Sequence, residues 1–169
     1  TRYIGVTGVQ TCALPIYILQ VRNELPQSIG CLSYVALGMA DLGVFLPLYQ
    51  GVKSYPHQYS IGNNNSDRDS AYWKFRKVMT LGMVNYNAYA PVIHEVYSKL
   101  EAENDQRQKE MEAEYLKLYK TEPMKAQDML QQFSDSILLH ALDVADALTE
   151  KLFTLLAQDI QKEYLFHGA

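Results

Sequence analysis

The chain has 169 residues, of which 48% are hydrophobic and 20% charged, enough for one ordinary domain with a real core and unlike a disordered tail. A net charge of −4 with Lys and Arg scattered argues against a phosphate-binding surface, so no nucleic-acid partner is expected. No apolar run reaches the roughly 20 residues that span a bilayer, so no membrane association is expected either.

The first sixteen residues, ending in "VTGVQTCALPI" (6–16), hold one thiol, Cys12, and the hydroxyl of an N-terminal Thr1. Either could serve as an N-terminal nucleophile only beside oxyanion donors, and the sequence provides none. With only Cys12 and Cys31 there is no disulfide framework, which makes a reducing cytoplasm the expected compartment. The chain lacks an initiator Met and a basic-then-apolar leader, so it reads as processed or cut.

Up to about residue 66 the text reads as strands. "YILQVR" (17–22), "CLSYVALG" (31–38) and "GVFLPLYQ" (43–50) have strand length, and "NELPQSIG" and "MADLG" supply the breaks. Short spacing predicts an antiparallel meander, with Pro47 placing the third strand at an edge or bulge. Cys31 is expected as an inert core residue.

From Asp67 the text turns helical. One helix is predicted over 70–86 with Asp69 or Ser70 as its cap, Ser70 being most simply a cap rather than a catalytic residue. A second is predicted to start near Pro91, with "EAENDQRQKE" (101–110) as a solvated length protruding from the body. After the "TEP" turn (121–123), Met129, Phe133, Ile137, Ala141, Val144, Leu148, Leu152 and Leu155 recur at helical spacing. The two long helices are therefore expected as an antiparallel hairpin packed on the sheet, giving an α+β fold.

Candidate metal and ligand motifs fail on their own chemistry. His94-Glu95 lacks a second His one turn on, since Ser98 stands there. "NNNSDRD" (63–69) has Arg68 where a calcium loop needs Gly and Lys74 where it needs Glu, so it reads as a capped loop. His140 and Asp143 share a helical face as a packed or rim pair, and Tyr72, Trp73 and Phe75 read as core. No metal and no cofactor is expected.

The segments "ILQVRNELP", "IGCLSYVALGMADLGVFLPLYQG" and "DSAYWKFRKV", in this order and spacing, resemble the cysteine-type N-terminal-nucleophile (Ntn) dipeptidases, dipeptidase A and its relatives. The resemblance covers about nine-tenths of the chain, from residue 18 onward. It implies a four-layer αββα fold, of which strands 17–66 and helices 67–165 would be the C-terminal part. It also implies hydrolysis of dipeptides by an N-terminal Cys thiolate, with the α-amino group as base and backbone and Asn donors at the oxyanion. That Cys belongs to an N-terminal portion not contained here, so this chain is expected to be inactive alone and to partner the missing portion and a dipeptide substrate. Homo-oligomerisation stays open. Related acylases carry an Arg near the end of a comparable strand, and by motif position the counterpart is Arg22. Its charge would hold the thiolate or orient the substrate carboxylate; the plain alternative is a strand-end Arg in solvent. The competing functional class is a non-catalytic interaction module built on the helical hairpin.

The resemblance stops short of residues 1–16. Residues 6–16 can be encoded by a sequence that resembles the common short-read sequencing-library adapter in one frame, followed by a T, with Thr1 and Arg2 fitting the bases before it. That trailing base accounts for Tyr17 where the family usually has His. Residues 1–16 are thus expected to be translated adapter, 17–169 the dipeptidase part, and Tyr17 a hybrid codon.

Overall fold

The computed structural model describes residues 16–167, with side chains from 17 to 162. Thr1, Cys12 and all of the adapter-like segment except Ile16 lie outside the described residues.

Three strands, β1 (Ile16–Val21), β2 (Cys31–Ala36) and β3 (Phe45–Tyr49), form an antiparallel sheet in the order β1-β2-β3. The expected meander is present, and Pro47 sits in an edge strand, opposite Tyr34. A short helix, α1 (Gln27–Gly30), fills the β1–β2 connection, which the Pro and Gly of that stretch had suggested as a plain turn.

Strand register fixes two faces, because side chains alternate along each strand. Gln20, Leu32 and Tyr49 stand in one row, as do Ile18, Tyr34 and Pro47. On the opposite face lie the rows Leu19–Ser33–Leu48 and Tyr17–Val35–Leu46.

Three long helices follow: α2 (Ala71–Val84), α3 (Tyr86–Leu118) and α4 (Pro123–His167). The hairpin of α3 and α4 is as expected, closed by Thr121 and Glu122 amides donating to the Leu118 carbonyl at 3.1 and 2.7 Å. Of the expected α4 stripe, Phe133, Ile137, Ala141, Leu148 and Leu152 are buried and Met129, Val144 and Leu155 half-buried, with Leu130, Leu138 and Ala145 buried beside them.

Four expectations need correction. Helix α3 begins at Tyr86, directly after Asn85, and carries Pro91 within it instead of at its start. Pro91 is exposed, so the Asn87 carbonyl that loses its N–H partner there can turn to water. Ser70 occupies the N-cap position of α2, yet its hydroxyl donates to the Ile61 carbonyl at 2.8 Å and ties the preceding loop down instead of capping. The 101–110 stretch is mostly exposed but does not protrude freely, because Asn104 and Gln108 are buried on one stripe of α3 with Tyr97, Leu100, Met111 and Tyr115. Of the aromatic trio only Phe75 is core, whereas Tyr72 is exposed and stacks edge-on against Trp73, with Arg76 over both rings.

Candidate functional site

The helix-facing side of the sheet carries polar groups at one end of the strands, where burial makes each of them expensive unless paired. Arg22 directly follows β1, and its amide donates to the Gly30 carbonyl at 2.8 Å, so the ladder continues one residue past the strand. Parity then puts its side chain on the same face as Gln20, toward α3.

There the guanidinium meets Glu112 fork to fork. Nη1 donates to Oε2 at 2.8 Å and Nη2 to Oε1 at 2.6 Å, while Nη2 also donates to the Ile29 carbonyl at 2.5 Å. Glu112 is itself held. Its Oε1 accepts the Tyr49 hydroxyl and the Gln108 amide, the latter at 3.3 Å, and Gln108 in turn accepts from the Tyr34 hydroxyl at 3.2 Å. Beside this network Ser28 Oγ and the Tyr115 hydroxyl share a 2.5 Å hydrogen bond. The Arg22 and Glu112 side chains retain 18% and 15% of their surface, so the pair sits at a margin and not deep in the core.

Electrostatics follow from these contacts. The hydrogen bond to Glu112 holds the Arg22 guanidinium charged more firmly than usual, against the opposing effect of burial. Burial disfavours the Glu112 carboxylate, but the hydrogen bonds from Arg22, Tyr49 and Gln108, with Arg22's charge, outweigh it and hold the carboxyl below its ordinary value. Burial, then the neighbouring carboxylate, pushes the Tyr49 phenol up, so it stays a neutral donor.

A depressed carboxyl contributes stability that is complete above the unfolded value, about 4.5, and is lost as pH falls through the folded one. Denaturant melts should therefore show an acid limb below about pH 4.5 that Glu112→Gln flattens. An unchanged limb in that variant would mean another carboxylate governs it.

The remaining sequence candidates do not join this cluster. Cys31 is half-buried on the opposite face, in a shallow cleft with Leu19, Val21, Gln27 and Gln50, which corrects its assignment to the core. His140 and Asp143 are exposed. His94 faces the Asp41 carbonyl oxygen at 2.8 Å. The 63–69 loop is closed by Asn63 and Asp67 side chains accepting from the Asn65 and Asp69 amides at 2.7 and 2.8 Å. Among the described residues no three His, Cys, Asp or Glu side chains converge as metal ligands, and no helix is long and apolar enough to cross a membrane.

Sequence reasoning singled out Arg22 as a candidate but gave no sign that Glu112, Tyr49 and Gln108 gather at it. Glu112 and Gln108 are four apart on α3, a polar pair on one helix face, and that spacing was the only available signal.

The opposite face of the sheet has a different character. Tyr17, Leu19 and Val21 are 63%, 67% and 69% exposed, an apolar row along edge strand β1. Toward β3, Val35, Leu46 and Leu48 line an apolar hollow of about 310 Å³ closed by Tyr55, Tyr59 and Leu138.

Comparison with known proteins gives this geometry a context. The sequence profile described as Peptidase family C69 matches residues 2–99. A probable dipeptidase of Salmonella dublin is 56% identical over 39 residues, covering 23% of this chain and 9% of that protein. Probable dipeptidase A of Streptococcus pyogenes is 28% identical over 86 residues, 51% of this chain and 17% of the relative. Probable dipeptidase B of Lactococcus lactis is 27% identical over 74 residues, 44% and 16% respectively. The chain thus spans less than a fifth of the length of these relatives.

Proposed function

The chain belongs to Peptidase family C69, and from that premise we propose that it forms part of one sheet and a helical layer of a dipeptidase with the four-layer Ntn architecture. The observation that supports this reading is the exposed apolar edge strand β1, with Tyr17, Leu19 and Val21 on the face opposite α3 and Ile18 on the other face all more than half exposed. An apolar sheet face of this kind normally lies against another layer. Here that layer would be the second sheet, drawn from the portion of the relatives that this chain does not span.

The nucleophile in this reading is an N-terminal Cys supplied by that other portion. Its thiolate attacks the scissile carbonyl and the dipeptide's C-terminal residue departs as the protonated amine. Water then cleaves the thioester, releasing the other amino acid and regenerating the thiol. The described segment alone is inactive on this account, because it holds neither the nucleophile nor its base.

Arg22 is the residue of this chain we assign to substrate. Glu112 neutralises its charge at close range, which weakens a purely electrostatic hold on a thiolate. Glu112 and the Ile29 carbonyl take three of its five hydrogens and Nε is buried, which leaves one Nη1 hydrogen for a carboxylate. We therefore favour the free carboxylate of the dipeptide as its partner.

A substrate panel tests the reading. The complete enzyme chain containing this segment should cleave unblocked dipeptides and lose at least tenfold in kcat/KM, about 1.4 kcal/mol, on their C-terminal amides. Equal rates on dipeptides and long peptides would contradict it.

A further inference from the structure

An antiparallel sheet has two outer edges, and along each edge strand every second residue turns its N–H and C=O away from the neighbouring strand. In β1 the Arg22 amide donates to the Gly30 carbonyl, so Gln20 and Ile18, two and four residues back, bond to β2. Tyr17, Leu19 and Val21 therefore point their amides and carbonyls outward, and none of these groups has a partner among the described residues. In β3 the Gln50 amide donates to the Cys31 carbonyl at 3.1 Å, so Leu48 and Leu46 bond to β2. Phe45, Pro47 and Tyr49 are left facing outward.

The two edges are finished differently. At β3 the Phe45 amide donates to Glu101 Oε1 of α3 at 2.7 Å, Pro47 has no N–H to offer, and the Tyr49 carbonyl accepts the Tyr55 hydroxyl at 3.0 Å. Among the described residues β1 has no such closure. The strand carries no charge, no proline and no bulge, which are the devices that keep an edge from pairing. Its side chains are exposed on both faces, Ile18 and Gln20 toward the helical side and Tyr17, Leu19 and Val21 away from it. A strand that is bare along its edge and apolar on both faces has the pattern of an inner strand covered on both sides.

We propose that the sheet ends at β3 and continues at β1, where a strand from the portion of the enzyme that this chain does not span bonds to the backbone of Tyr17, Leu19 and Val21. The occupant is assigned to that portion because this chain spans less than a fifth of its relatives, and because the apolar face beside the edge is the one assigned above to the facing layer. The inference rests on the reading of the chain as part of a dipeptidase. To face-to-face packing it adds main-chain pairing, which fixes a register between the two portions.

The test is amide hydrogen exchange, resolved to single residues, in the complete enzyme chain containing this segment. The Tyr17, Leu19 and Val21 amides should exchange about a thousandfold more slowly than in the unfolded chain, as slowly as those of Ile18 and Gln20, at every protein concentration. Leu19→Pro, which removes an outward N–H, should lower the yield of soluble active enzyme about tenfold further than Leu19→Ala, which keeps it. Exchange of the three amides at unfolded-chain rates beside protected Ile18 and Gln20 overturns the pairing, as does a Leu19→Pro enzyme equal to Leu19→Ala. Protection that disappears on dilution, in step with dissociation of a dimer, overturns the assignment of the occupant and gives the edge to a second copy. Dipeptide hydrolysis with the three amides unprotected overturns the pairing alone, whereas three protected amides in an enzyme inert on dipeptides overturn the functional reading.

Discussion

Replacing Glu112 by Ala should lower the unfolding free energy by about 3 kcal/mol, read as a shift in the urea midpoint with unchanged slope. The loss does not measure the attraction of the pair. It reflects what is left behind: a guanidinium with 18% of its side-chain surface in contact with solvent, a Tyr49 hydroxyl in a wholly buried ring, and Gln108, each without its acceptor. The double variant Arg22→Met/Glu112→Met should recover part of that loss, because no uncompensated charge remains although Tyr49 and Gln108 still lack their acceptor. A Glu112→Ala protein as stable as the parent would show that water replaces the carboxylate, and that the network is ornamental to the fold.

Gly51→Ala should destabilise by a similar amount, about 3 kcal/mol, at the other side of the same cluster. A Cβ on residue 51 would stand 2.6 Å from the Cα of Ser28, and backbone cannot yield as a side-chain tip can. The approach is this close because the Gly51 amide donates to the Ser28 carbonyl at 3.1 Å, stitching the end of β3 to α1. Forcing them apart would strain the Ser28–Tyr115 hydrogen bond and carry Ile29, whose carbonyl holds Arg22. Thermal melting of the two proteins measures the effect; equal midpoints would mean that α1 moves freely and does not fix the Arg22 environment.

These two variants bear on what the sequence made legible. Strand existence was readable because "YILQVR", "CLSYVALG" and "GVFLPLYQ" are apolar runs cut by turn residues at strand length. The α4 stripe was readable because its apolar positions keep helical spacing through Leu152. The buried side of α3 was hidden for a physical reason. Its stripe runs Ile93, Tyr97, Leu100, Asn104, Gln108, Met111, Tyr115, and two of its central members are polar. A scan for apolar residues sees a gap at 101–110 and infers solvent, whereas the 3–4 spacing passes through the gap without a break. Asn104 remains the costly member, since neither its Oδ1 nor its Nδ2 has a hydrogen-bond partner among the described residues.

The site was half legible for a related reason. Arg22 stands out by its place at the end of a strand in a family-like motif, a local property. Glu112 is one of several acids in a polar stretch, and only folding distinguishes it, by bringing it across 90 positions to the guanidinium. Pro91 misled in the opposite direction. A proline suits a first helical turn, but here the chain had already turned at Asn85, whose carbonyl accepts from the Tyr89 amide at 2.9 Å.

We propose that this chain supplies a sheet and helices, with the nucleophile on another portion, to a dipeptidase. Complementation tests it most directly: residues 17–169 are produced together with the N-terminal portion of a family relative, and hydrolysis of an unblocked dipeptide is measured. The expected result is no hydrolysis by either piece alone, hydrolysis by the pair, and its loss when the N-terminal Cys is replaced by Ser or when Leu19→Glu places a charge on the exposed apolar row. Hydrolysis by residues 17–169 alone, or a folded and associated pair inert across a dipeptide panel, would contradict it.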